Sequence, residues 1–536
     1  MSLPLNQPVR DYAPGSPERA AIAAEIQHQR ANPRRILPVV GGRRIETGNT
    51  CGMFEPHAHY RSLGTYDSAG AGEAEAAIDA ALRARHDWSR MSPASRRAVF
   101  LRAAELLAGP FNARLVAATM LQQSKTAYQS EIDASCELID FLRFNVAFAE
   151  QLDAIQPISS GTERNRLEQR PLDGFVFAAS PFNFTAIAGN LCIAPALMGN
   201  TVVWKPSERS VYSAAFLMDL FEAAGMPPGV INMLPADNPA EIGNLVLNHP
   251  ALAGVHFTGS TAAFDRIWQT VGTNVSAYNS YPRLVGETGG KDFVLAHASA
   301  DIDALTTALV RGAFDYQGQK CSAASRAYIP ESLFGDVCEQ LAEKVRSLTV
   351  GDVAEFHHFM GAVIDERAFN AITGMLDHAA NTSGYRKIAG AEPDKSEGYF
   401  VPPTVIACDD PLSRLMTEEV FGPVLAVYSY PDHRLEETLE LVDTSTPYAL
   451  TGAIFAQDQG VIDTLSGALQ DAAGNFYIND KPTGAVVGRQ PFGGGRRSGT
   501  NDKAGSAINL LRWSSPRTVK ETLVPVHGHL YPHMAE

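Results

Sequence analysis

Between Gly174 and Trp204 the chain carries no charged residue. A run of that length is long enough to span a bilayer as one helix. Pro181, Asn183, Asn190, Pro195 and Asn200 interrupt it. A lipid-facing helix would not hold three Asn and two Pro. The alternative is burial inside protein, as two parallel strands flanking a buried helix. Strands covered on both faces lose the polar–apolar alternation, as here. This segment therefore argues against a membrane protein and for a parallel sheet.

The flanking sequence keeps the same rhythm. "FVFAAS", "TVVWKP", "VINMLP" and "AGVHFTGS" read as strands. "AIAGNLCIAPALMG", "VYSAAFLMDLFEAAG" and "PAEIGNLVLNH" read as the helices between them. Strands alternating with helices at this spacing predict βαβ units and an open sheet. A second block starts near Lys291 with "DFVLAHAS", the helix "DIDALTTALVRGAFDY" and the strand "RAYIP", and continues to "LAVYSY" and "GAIFA". The expected fold class is α/β, with two doubly wound open-sheet domains meeting near residue 290. Upstream, helices are expected over "EAEAAIDAALRARHDW", over a stretch opened by Ser92-Pro93, and over "SEIDASCELIDFLRFNVAFAEQL". Residues 1–70 show weak periodicity and are expected to form an extended lead-in arm. Residues 154–172 predict a polar strand or hairpin inserted in the first domain.

The 536 residues carry a net charge of −15, which argues against nucleic-acid binding. The six cysteines are scattered, with no Cys/His cluster at metal spacing. No metal or disulfide framework is expected, and a reducing compartment follows. The first residues have neither an apolar core nor an Arg-rich character, so a cytoplasmic location is expected.

Five places could carry chemistry. Cys321 lies among Gly, Gln, Lys and Ala in "DYQGQKCSAAS". A buried structural thiol is the ordinary explanation; a reactive thiolate beside Lys320 is the functional one. Glu287 precedes Thr288-Gly289-Gly290, either as a surface turn or as a carboxylate held at a cleft mouth as a base. Asn183 sits between two Phe at the end of a buried strand, either capping a helix or donating to an oxyanion. Lys205 and Gly259-Ser260 lie at the carboxyl ends of strands, where ribose and phosphates belong. No G-x-G-x-x-G follows either strand.

Together, "PFNF", "VVWKPS", "FTGST", "ETGGK", "GQKCSA", "EEVFGPV" and "PFGGGRRSGTND" resemble the aldehyde dehydrogenase superfamily, over roughly residues 70–520. Within it, "SPFNFTAIAGN", "VGETGGKDF", "YQGQKCSA", "TGAVVGRQPFGG" and "SGTNDKAG" resemble the Δ1-pyrroline-5-carboxylate dehydrogenases. These oxidise glutamate γ-semialdehyde to glutamate in proline catabolism.

The resemblance implies roles. Cys321 would be the nucleophile, with Asn183 and the Cys321 N–H holding the oxyanion. Hydride loss would leave a thioester, and Glu287 would activate the water that hydrolyses it. Lys205 and Ser207 would face the adenine ribose of NAD, Gly259 and Ser260 the pyrophosphate, and Glu419 and Phe421 the nicotinamide riboside. Ser207 stands where many relatives carry Glu, which leaves NADP open. Gly484, Ala485 and Ser322 would hold the substrate carboxylate. Phe184 and Phe492 would clamp its stem, Glu137 would meet its ammonium, and Lys320 would add positive charge beside the thiol. Residues 1–153 and 173–290 would form the NAD-binding domain and 291–500 the catalytic domain. Residues 154–172 with 501–536 would form an oligomerisation flap and tail, giving a homodimer or larger homo-oligomer. The alternatives are another small semialdehyde as substrate, release of the acyl group to CoA, or a non-catalytic protein on the same scaffold.

Overall fold

The structure, a computed structural model, describes residues 3–534. The uncharged run folds as the strands Phe175–Ala179 and Thr201–Lys205, paired in parallel, with the helix Thr185–Leu197 between them. Alternate strand residues point into different cores. Phe175, Phe177 and Val203 face one side, and Val176, Ala178, Val202 and Trp204 the other. Burial on both faces is why the charged residues vanish from this segment.

These strands are the middle of a seven-stranded sheet. Its order is Arg283–Glu287, Leu252–Thr258, Phe175–Ala179, Thr201–Lys205, Ile231–Met233, Val39–Val40 and Arg43–Arg44. The first five are parallel. The chain leaves Phe175–Ala179 towards one edge and later returns to its other side with Leu252–Thr258. That reversal opens a crevice at the carboxyl ends of these strands, the standard ligand position.

The second sheet runs Tyr385–Ala389, Thr404–Cys408, Val424–Tyr430, Ala324–Pro330, Asp292–Ala296, Thr451–Phe455 and Asn475–Ile478. It is parallel except for its Tyr385–Ala389 edge. Only residues 288–291 separate the last strand of the first sheet from Asp292–Ala296. The carboxyl edge of the first sheet therefore leads straight into the amino edge of the second. Two apolar cores, one on each face, cover this second sheet.

Ser92 caps the helix Pro93–Ala108 through the Ser95 N–H, with Pro93 at its first position, as the sequence predicts. The expectation for residues 1–70 is overturned. They hold the helix Pro17–Ala31, two strands that extend the first sheet, and the hairpin Thr50–Glu55 with Ala58–Asp67. Ile22, Ile26, Leu63 and Tyr66 join the first core. The predicted helix from Ser130 onward contains a π-helical turn, Glu131–Glu137, before Leu138–Asp153. Within 154–172 the strand is Glu163–Glu168, paired antiparallel with Arg517–Thr522 in an isolated two-stranded ribbon. The stretch just after residue 500 belongs elsewhere: Leu510 and Trp513 are buried in the first core. No helix among the described residues is long and apolar enough to cross a membrane.

Candidate active site

One cavity of about 920 Å³ lies at the carboxyl edge of the first sheet. Asn183, Lys205, Ser207, Gly259, Ser260, Cys321, Glu419 and Phe421 all line it. Three of its walls are strand ends: the segment after Ala179, Lys205 itself, and the turn after Thr258. Ser260 caps the helix Thr261–Thr273, whose first N–H groups face an anion-binding position. The Phe182 and Phe421 rings meet edge to face at 6.0 Å.

Cys321 arrives from the other sheet. The helix Ile302–Phe314 stops, and Tyr316, Gln317 and Gly318 take left-handed backbone at φ 53°, 56° and 66°. The chain so reversed presents Cys321 just before the strand Ala324–Pro330, at the amino edge of the second sheet. Gly290 makes room for it: a Cβ there would stand 2.4 Å from the Cys321 carbonyl oxygen. Asn183 Nδ2 donates to the Gln319 carbonyl at 3.0 Å, tying the asparagine to the cysteine loop.

Glu287 closes the strand Arg283–Glu287. Its Oε2 accepts from the Gly494 N–H at 3.2 Å. Burial holds its carboxyl well above the usual carboxylate range, partly offset by that N–H and by Lys503. Glu419 accepts from the Gly290 N–H at 3.0 Å, which fixes the glycine turn. Burial also raises the Cys321 thiol, and the charges of Asp292, Glu287 and Glu419 push the same way.

Lys320 corrects the sequence reading. Its ammonium is bonded to Asp315, and Gln129 Nε2 also donates to Asp315, at 2.7 Å. It does not supply the charge that would favour a thiolate. The charges that act on the sulfur are acidic.

The remaining predicted residues lie outside the cavity lining. Ser322 Oγ and Thr483 Oγ1 lie 2.8 Å apart, which joins the cysteine loop to the segment carrying Gly484 and Ala485. Gly484 takes φ 91°. Phe492 pairs its backbone with Ala504. Phe184 lies under Lys125, whose Nζ is 4.2 Å from the ring centre and 4.3 Å from that of Tyr316. Glu137 is half-buried in the π-helical turn. Burial, then Asp133, lifts its carboxyl to about 8, against the pull of Lys125 and Lys320.

Lys125 and Asp133 escape the sequence reading. Both are 1% exposed and paired at 2.6 Å. Asp133 also accepts from the Thr185 and Ala186 N–H groups at 3.0 and 2.9 Å. It thus caps the helix that begins just after Asn183 and Phe184 and fixes both. The available signal was the set Glu131, Asp133, Glu137 and Asp140 inside a helical stretch rich in apolar residues. Buried carboxylates at such positions need partners.

The aldehyde dehydrogenase family model matches residues 44–519. Mouse mitochondrial delta-1-pyrroline-5-carboxylate dehydrogenase is 46% identical over 530 residues, covering 99% of this chain and 94% of its own. The Mycobacterium tuberculosis delta-pyrroline-5-carboxylate dehydrogenase crystallised with NAD is 54% identical, with a TM-score of 0.96 over 100% of this chain and 99% of that one. A Thermus thermophilus 1-pyrroline-5-carboxylate dehydrogenase mutant is 32% identical, with a TM-score of 0.91 over 97% and 99%. A cavity that joins a helix N-terminus to a cysteine across two sheets, together with these matches, places the chain in the aldehyde dehydrogenase family.

Proposed function

We propose that this protein oxidises L-glutamate γ-semialdehyde, the open form of Δ1-pyrroline-5-carboxylate, to L-glutamate, with NAD as oxidant. The observation that carries this reading is the single cavity in which Lys205, Ser207, Gly259 and Ser260 share walls with Cys321 and Asn183. The names of the relatives supply the substrate.

The residues present fit a dinucleotide. A helix N-terminus capped by Ser260 suits a pyrophosphate, Lys205 and Ser207 suit the ribose beyond it, and Glu419 and Phe421 line the same cavity as the sulfur. When bound, NAD accepts the hydride. The protein's own groups do the rest. Cys321 Sγ gives up its proton to water and adds to the aldehyde carbon, and the C=O π pair moves onto the oxygen. Asn183 Nδ2 and the Cys321 N–H hold the oxygen as it becomes negative; one such donor contributes roughly 3–4 kcal/mol. Glu287 takes the proton of the water that hydrolyses the thioester. The group around Ser322, Phe184, Gly484, Ala485, Phe492, Lys320 and Glu137 holds the amino-acid end of the substrate, and Lys125 with Asp133 keeps Phe184 in place.

NADH formation from glutamate γ-semialdehyde, succinate semialdehyde and simple aliphatic aldehydes tests the reading. We expect kcat/KM for glutamate γ-semialdehyde to exceed the others by at least about tenfold, a gap of 1.4 kcal/mol in transition-state binding. Equal values would assign another aldehyde.

We also propose that the ribbon of Glu163–Glu168 and Arg517–Thr522 pairs with a second copy of this chain. Leu523, Val524 and Val526 beside it are exposed apolar side chains. Light scattering should give a mass of at least two chains, and a monomer would refute it. The free cysteines support a reducing compartment.

A further inference from the structure

The left-handed turn before Cys321 is held from outside itself. Two of its residues are not glycine, and left-handed backbone costs such residues roughly 1–2 kcal/mol each unless the surroundings fix it. The fixing group is the Gln317 side chain, fully buried. Its Nε2 donates to the Ser124 carbonyl at 2.9 Å and to the Ala362 carbonyl at 2.6 Å. Its Oε1 accepts from the Gly361 N–H at 3.2 Å. Two residues on, Gln319 Oε1 accepts from the Ile364 N–H at 2.9 Å. The turn therefore hangs on Ser124 and on residues 361–364.

Those two supports are tied to each other. Ser124 Oγ accepts from the Ala362 N–H at 2.9 Å. Ser124 is itself left-handed, at φ 55°, and completely buried. There is no slack, because a Cβ on Gly361 would meet Ser124 Oγ at 2.4 Å. The last contact of Ser124 Oγ is His57 Nδ1, 3.1 Å away.

His57 lies in the turn of the N-terminal hairpin, with its side chain sealed from solvent. Its Nε2 is 2.9 Å from Glu55 and 3.2 Å from Asp352. Arg30 meets Glu55 at 2.7 Å and Asp352 at 3.1 Å, and Arg61 meets Asp352 at 2.9 Å. Two arginines therefore pair with the two carboxylates. Burial opposes charge on the imidazole, but hydrogen bonds to Asp352 and Glu55, and their charges, outweigh it and raise its pKa. An imidazolium donates from both nitrogens, so Nδ1–H is directed at Ser124 Oγ.

We propose that His57 and Ser124 are positioning residues for Cys321: the N-terminal hairpin fixes Ser124, and Ser124 fixes Gln317 and the left-handed turn that presents the sulfur. Neither touches substrate or cofactor. The proposal rests on Cys321 being the nucleophile.

The test uses the full chain with Ser124→Ala, His57→Gln and both together. Three quantities are read: kcat against KM for NAD, the iodoacetamide alkylation rate of the Cys321 peptide, and Tm across pH. We expect kcat to fall at least about tenfold and Cys321 alkylation to change at least about fivefold, while KM for NAD stays within about twofold. The double variant should be no worse than the poorer single, because both cut one link. Ser124→Gly, which takes φ 55° freely, serves if the alanine variant does not fold. The raised pKa of His57 adds stability that is complete below pH 6.5 and lost as pH rises through the folded-state value. The Tm difference between wild type and His57→Gln should therefore be widest at low pH. A lower Tm with unchanged kcat and alkylation, or a Tm difference that ignores pH, would overturn the proposal. NADH formation by Cys321→Ala would instead sink the nucleophile assignment beneath it.

Discussion

Replacing Cys321 by alanine lowers NADH formation from glutamate γ-semialdehyde by at least about 10³-fold, because the covalent path is gone and only binding and oxyanion contacts remain. The sulfur lines the cavity and fills no core, so NAD affinity and Tm should stay close to wild type. The thiol is held up by burial and by Asp292, Glu287 and Glu419, so its alkylation in the free enzyme should be slow at neutral pH and speed up as pH rises. Alkylation that is already at its maximum below pH 7 would contradict the acidic surroundings described here.

Glu287→Gln separates the two halves of the reaction. Addition to Cys321 and one round of NADH release should survive, while steady turnover falls by about 10²–10⁴-fold, the range of a lost general base. The sign of the pH dependence follows from the raised carboxyl. Glu287 acts as a base only when ionised, and burial moves its ionisation above the usual carboxylate range. Wild-type hydrolysis should therefore rise with pH, and the Gln variant should not follow it.

The central strands were legible because burial on both faces leaves a plain mark, an uncharged stretch from Gly174 to Trp204 with apolar strands at both ends. The first 70 residues left none. Their strands at Val39–Val40 and Arg43–Arg44 are two residues long, too short for any periodicity, and the helix Pro17–Ala31 buries only a narrow stripe. At the site, motif and position singled out Cys321, Asn183 and the strand-end residues, which the structure brings to one cavity. The role of Lys320 was not, because its partner Asp315 becomes a neighbour only through the left-handed turn between them. Lys125 and Asp133 were missed for a related reason. Their pairing at 2.6 Å and the capping of the helix after Phe184 depend on three separate segments meeting. The sequence shows the acids but not where they point.

The sharpest test follows the sulfur itself. Glu287→Gln is mixed with glutamate γ-semialdehyde and NAD, quenched in acid and digested, and the peptide containing Cys321 is weighed. A glutamyl group in thioester linkage on that peptide, absent without NAD, is the predicted result. An unmodified Cys321 alongside a full first round of NADH, or the glutamyl group on another residue, would contradict the account.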